Sequence, residues 1–127
     1  MTETNPWAQI VGPCYTAESL ARALNWSASE VVASATSLTV LELTTNEGVL
    51  LYPEFQVWDG RPVDGLGDVL HVLSTGTESR WTWAQWLNTR VDAETGEVAP
   101  SAIEELREGR LDDVLRNAQH TAWAWNS

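Results

Sequence analysis

The sequence predicts an α+β fold, mostly α: an N-terminal helix-turn-helix-like helix pair, a β-hairpin, then a C-terminal helical bundle. Three observations predict it. Two helix-start signatures stand close together in residues 15–36. Two β-rich runs flank the turn-forming Asn46-Glu47-Gly48. From Asp64 onward, apolar residues recur at the three- and four-residue spacing of helices that bury one face. The implied division is a lead-in over residues 1–14, a helix pair with its hairpin over 15–58, and a helical domain over 59–127.

Residues 1–6 lack the basic start and apolar run of a signal peptide and read as a disordered lead-in. Thr16 is placed to cap the first helix, with Glu18 in its first turn and Leu20, Ala21 and Leu24 following at helical spacing. Tyr15 and Leu20 stand at hydrophobic-staple positions. Asn25 tolerates the left-handed conformation that ends a helix. Ser27-Ala-Ser-Glu30 then forms a capping box, with Trp26 and Val31 as its staple pair. Residues 38–43 and 49–52 read as the strands of a hairpin, with Gly48 supplying positive φ. Pro53 cannot donate to a ladder, so the second strand ends or bends there. Residues 55–58 continue it irregularly, and Asp59-Gly60-Arg61-Pro62 is a turn.

Asp64 is the expected cap of a helix with the stripe Leu66, Val69, Leu70 and Leu73. After a polar loop, Thr82-Trp-Ala-Gln85 reads as a capping box with Trp81 and Trp86 as staple, opening a short helix to about Thr89. Residues 91–98 read as a polar loop. Pro100 suits the first turn of a helix carrying Ile103 and Leu106 and closed by Gly109. A last helix carries Leu111, Val114, Leu115, Ala118 and Ala122, with Asp112 and Asp113 in its first turn, and extends toward Trp125.

Composition narrows the chemistry. The 127 residues suffice to bury a core without staples. Eighteen acidic residues face seven arginines and no lysine, for a net charge of −11. Such a field repels phosphate backbones and anionic membranes, and favours basic partners or simply solubility. No stretch approaches the length of a bilayer span. The single cysteine, Cys14, has no internal partner, which fits a reducing, cytoplasmic setting. Eight tryptophans against one phenylalanine is the second anomaly. Most must be core in a small domain, leaving a few for interfaces, where tryptophan is enriched.

Ala21, Asn25 and Val31 fall where a helix-turn-helix needs a small residue, a turn residue and a core aliphatic, and the hairpin that follows is placed to be a wing. Ser29, Ala33 and Ser34 would then be the DNA-contacting positions. They offer little to base edges or phosphates, and no basic residue lies between Arg22 and Arg61. Nucleic acid is therefore an unlikely ligand for the isolated protein. No catalytic, cofactor or metal residues are identified: His71 and His120 sit in separate helices, Cys14 stands alone, and there is no phosphate loop or nucleophile elbow. The paired acids Glu104-Glu105 and Asp112-Asp113 read as helix-start preference and a solvated face. An enzyme is not expected. At the C-terminus, Trp123 and Trp125 either fold back on the core or anchor in a partner's pocket.

The order Glu47-Gly48, Tyr52-Pro-Glu-Phe-Gln56, Gly60-Arg61 and Gly65-Leu66 with Val69-Leu70 resembles the toxin-binding domain of the Xre/MbcA/ParS antitoxin family. So does the later order Trp83-Ala-x-Trp86-Leu87, Pro100, Leu106, Gly109, residues 112–115 and Ala118. The match spans about Gly48 to Ala122, and the preceding helix pair resembles the N-terminal helix-turn-helix that these antitoxins often carry. The resemblance implies a protein that neutralises a RES-type, NAD-degrading toxin by occluding its active-site cleft with the C-terminal region. It also implies dimers in many members and repression of their own operon. Carried over, it puts the partner contact on the final helix from Leu111 onward, with Arg110, Arg116, Trp123 and Trp125 as the positions singled out here. The chain departs from the pattern in the long loop over 91–98, which lacks a compact Gly-rich form, and in the missing basic residues of the helix pair. Two alternatives stand beside it: a winged helix-turn-helix transcription regulator, and a stand-alone interaction or scaffold protein.

Overall fold

The computed structural model describes residues 11–92 and 98–126. Chain order is Cys14–Tyr15 (β1), Ala17–Leu24 (α1), Ala28–Thr36 (α2), Leu43–Thr44 (β2) and Leu50–Pro53 (β3). A 3-10 turn, Glu54–Gln56, leads to Val57–Trp58 (β4), Arg61–Pro62 (β5), Leu66–Ser74 (α3) and Arg80–Asn88 (α4). Val91–Asp92 (β6), Val98–Ala99 (β7), Ala102–Arg107 (α5) and Leu111–Trp125 (α6) complete it. The α+β, mostly α class expected from the sequence is what the chain adopts.

Local chemistry sets the first third. Thr16 caps α1 by accepting from the Ser19 N–H, while the Ser19 hydroxyl accepts from the Thr16 N–H at 2.8 Å. Asn25 ends the helix in the left-handed region at φ 57°. Ser27 and Glu30 form the expected reciprocal box at the start of α2. The two helices trap a small core of Leu20, Leu24, Val31, Ala35, Val40 and Tyr52. The two-residue strand β1, absent from the sequence reading, pairs antiparallel with β3 (Cys14 with Pro53, Tyr15 with Tyr52). Strand β2 pairs with the same β3, so the sheet order is β1-β3-β2. Strand, helix, helix and hairpin follow in the order of a winged helix-turn-helix, with residues 45–49 at the hairpin tip.

Three boundaries differ from the sequence reading, each for a nameable reason. Residues 38–42 are not strand: Leu38 turns the chain at φ 59°, and the N–H groups of Thr39 and Val40 donate to the Ser34 carbonyl, prolonging the end of α2. Asp64 does not cap α3. Gly65 holds that position at φ 85°, and Asp64 lies beside Arg61 instead. The cap of α4 lies three residues before Thr82, at Ser79, which accepts from the Thr82 N–H and also takes the Thr82 hydroxyl at 2.9 Å. The turn at Asp59-Gly60 is the tip of a second, tight hairpin, with both residues at positive φ as its two-residue loop requires. The ends of the expected 91–98 loop pair as β6 and β7; its middle, and residues 1–10 of the expected 1–14 lead-in, lie outside the described residues.

The main core packs Leu66, Val69, Leu70 and Leu73 of α3 against Trp83 and Leu87 of α4, Ile103 and Leu106 of α5, and Val114 and Ala118 of α6. Val11, Leu41 and Leu43 belong to the same cluster. Packing therefore crosses position 58, and the hairpin is shared between the winged part and the helices. Gln56 fixes the junction. Fully buried, it accepts from the Leu41 N–H at 2.7 Å and donates to the Leu41 carbonyl at 2.9 Å.

Candidate functional site

Helix α6 is seated by small residues. Val114, Ala118 and Ala122 recur at four-residue spacing and are buried. The backbone at Gly76, just past α3, comes so close that a Cβ there would stand 2.6 Å from both Cα and O of Ala122. With that face committed, Arg116, His120 and Trp123, spaced for one helix face, point outward. The Trp123 side is 69% exposed, and its ring stacks on His120 with centroids 6.4 Å apart. Arg116 lies 3.6 Å from Asp113 one turn earlier. Arg110 precedes the helix and pairs with Glu108 at 3.3 Å.

Of the four positions singled out for a partner, Arg116 and Trp123 thus share a face, and Arg110 stands at its start. Trp125 points elsewhere. Two helix positions are about 200° of rotation, so Trp125 is half-buried and packs on the main core.

The winged part offers a different surface. Ser29 and Ala33 are exposed on α2, as is Val32 at 62%. Ser34 is half-buried. The Glu30 carboxylate is held by the Ser27 N–H at 3.3 Å. The wing adds the exposed apolar Val49 and Leu50. Positive charge is scarce: Arg61, Arg80, Arg90, Arg110 and Arg116 are each within an ion pair, Arg107 donates to the Phe55 carbonyl, and Arg22 is exposed on α1.

The Tyr52-Pro-Glu-Phe-Gln56 segment holds structure together. The Tyr52 hydroxyl donates to Glu42 at 2.7 Å, and burial followed by that acceptor pushes its pKa up. Glu42 also approaches Arg80, whose Nη1 donates to the Glu42 carbonyl at 3.3 Å. Burial, and then Glu54, push the Cys14 thiol up, so it is held as the poor nucleophile. His71 and His120 are both exposed on separate helices. Among the described residues, no three His, Cys, Asp or Glu side chains gather as a metal site, and no helix is long and apolar enough to cross a membrane.

Two features escaped the sequence reading. Arg107 lies over the exposed ring of Trp58 at 4.8 Å, tying α5 to the second hairpin. An open groove of about 560 Å³ runs between α4, α5 and α6, flanked by Trp86 and Trp125. Its lining comes from three separate segments, so no local pattern announces it. The signal was the surplus of tryptophan.

No family model and no curated protein matches the chain. Among solved structures, the chain is similar to the NMR structure of Rv2175c, with a TM-score of 0.73 and 19% identity. The likeness covers 96% of this chain and 86% of that one. At that identity it speaks for a shared fold.

Proposed function

We propose that this chain is a non-catalytic regulator of the antitoxin type, which binds a protein toxin of the RES type and occludes it. The observation that carries this reading is the outward stripe of α6. Arg116, His120 and Trp123 project from a helix whose opposite face is locked into the core, so the stripe is a rigid platform. Arginine and tryptophan are the side chains most enriched at interface hot spots, and a rigid one loses little entropy on binding. The acidic body adds long-range attraction for a basic toxin surface, which raises the association rate at low salt.

Co-expression with the product of the neighbouring gene, followed by co-purification, tests the reading. The complex should form with the wild-type chain. Trp123→Ala should weaken it by about 2 kcal/mol, or roughly thirtyfold, while shifting the stability of the free protein by less than about 0.5 kcal/mol. Undiminished co-purification of the Ala variant would remove α6 from the contact. Truncation after Ala122 is a poorer test, because it also removes the core contacts of Trp125.

A second reading, a winged helix-turn-helix transcription regulator, is supported by the strand–helix–helix–hairpin order, in which α2 would be the recognition helix. Its test is a gel shift on the protein's own promoter region. Absence of a shift at low salt retires it.

A further inference from the structure

We infer that the groove between α4, α5 and α6 is a binding site for a planar organic cation of the alkylguanidinium kind. Its size, about 560 Å³, lies within the range of small-molecule sites. Two indoles, Trp86 on α4 and Trp125 on α6, give it aromatic faces. Glu105 on α5 is the carboxylate in its lining, and no arginine lines it.

Four of the polar side chains there are uncommitted. Among the described residues, the side chains of Glu105, Gln85, Asn117 and Thr121 make no hydrogen bond or ion pair. This contrasts with the adjacent Glu104, whose carboxylate is held by both Arg90 and the Ser101 N–H. Five of the seven arginines pair with other acids, yet this acid faces the groove without one.

Three ligand classes can be weighed against that lining. An anion would meet a carboxylate and no guanidinium, inside a body of net charge −11. A purely apolar molecule would strip water from carboxylate and amide groups and return no hydrogen bonds. A guanidinium satisfies all three demands: it stacks on indole faces, pairs with a carboxylate through two parallel N–H groups, and donates its remaining N–H groups to amide and hydroxyl oxygens. An alkyl tail would lie along Pro100, Ala102 and the indoles. The site is on the flank of α6 that carries Trp125 and meets the Trp123 stripe at His120, which lines the groove and stacks on Trp123.

Titration of the ¹⁵N-labelled full chain with n-butylguanidinium tests it, followed through the indole N–H signals. The controls are its neutral isostere n-butylurea and the anion butyrate. Saturable shifts are expected at Trp86 and Trp125, with n-butylurea and butyrate at least about tenfold weaker. Glu105→Gln should lower guanidinium affinity to the level of the urea while leaving signals from the main core in place. The inference is overturned if the two indoles do not respond together, if n-butylurea binds as well as the cation, or if Glu105→Gln binds the cation undiminished.

Discussion

Helix α2 and helix α6 each turn an unburied face outward, and they carry opposite chemistry. Helix α2 is the helix that would read nucleic acid in the winged alternative, and it shows Ser29, Val32 and Ala33. Helix α6 occupies no place that topology marks for binding, yet it shows Arg116, His120 and Trp123. The difference teaches that strand order and side chains are separate evidence. Topology places a helix at the front of the molecule; charge and size decide what that helix can hold. Helix α2 lacks the cations that phosphate contact needs, and the residues proposed for a protein partner lie at the other end of the chain.

The comparison assumes that both faces ride on one rigid frame, and the strongest perturbation tests that assumption. Gln56→Leu would leave the Leu41 N–H and carbonyl buried without partners, at a cost of about 3 kcal/mol. Thermal unfolding should remain a single transition, shifted down. Two separate transitions would show that the winged part and the helices are independent. Gly76→Ala separates the two faces. Its Cβ would collide with the Ala122 backbone and cost about 2 kcal/mol. Hydrogen exchange should accelerate across the last turns of α6, while the amides of α1 and α2 keep their relative protection. Equal loosening of both regions would contradict the separate seating of α6.

A gain-of-function change sharpens the chemical half of the contrast. Val32→Arg with Ala33→Arg puts two cations on the exposed face of α2. If missing charge is what keeps this face off DNA, the variant should bind duplex about tenfold more tightly at low salt, with a salt slope steeper by about one per arginine that reaches a phosphate. Unchanged binding would mean that the geometry of the face, and not its charge, is at fault.

The smallest effect concerns the frame beneath the groove. The Arg90 guanidinium, and then the Ser101 N–H, hold the Glu104 carboxyl down to about 2, against an ordinary 4.5. A depressed pKa means that the folded state binds the proton less well than the unfolded one. The contribution is thus present in full above the ordinary value and is lost as pH falls from about 4.5 toward 2. The pair is open to solvent, so the effect on stability is small. In Glu104→Gln, the fall in melting temperature between pH 5 and pH 2.5 should be slightly shallower than in the wild type. An identical profile would mean that the pair contributes nothing.

Legibility in the sequence followed the range of the interaction. The caps at Thr16, Asn25 and Ser27 were readable because each is closed within three or four residues. Strand β1 was not: two residues cannot show alternation, and Cys14 and Tyr15 are strand only because Pro53 and Tyr52 lie opposite. Gly65 was hidden behind Asp64, since an acid beside a helix start looks like a cap until the glycine's positive φ is seen. At the candidate site, the stripe of Arg116 and Trp123 follows from helical spacing alone. The parting of Trp123 from Trp125 required knowing which face Ala118 and Ala122 bury. The groove required three distant segments to be brought together.

The central claim is that contact with a protein partner is made by α6 and not by α2. An amide hydrogen-exchange footprint of the co-purified complex tests it most directly. The account predicts added protection over residues 116–125 and none over residues 28–36. Protection confined to residues 28–36 and the wing at 45–49 would contradict it.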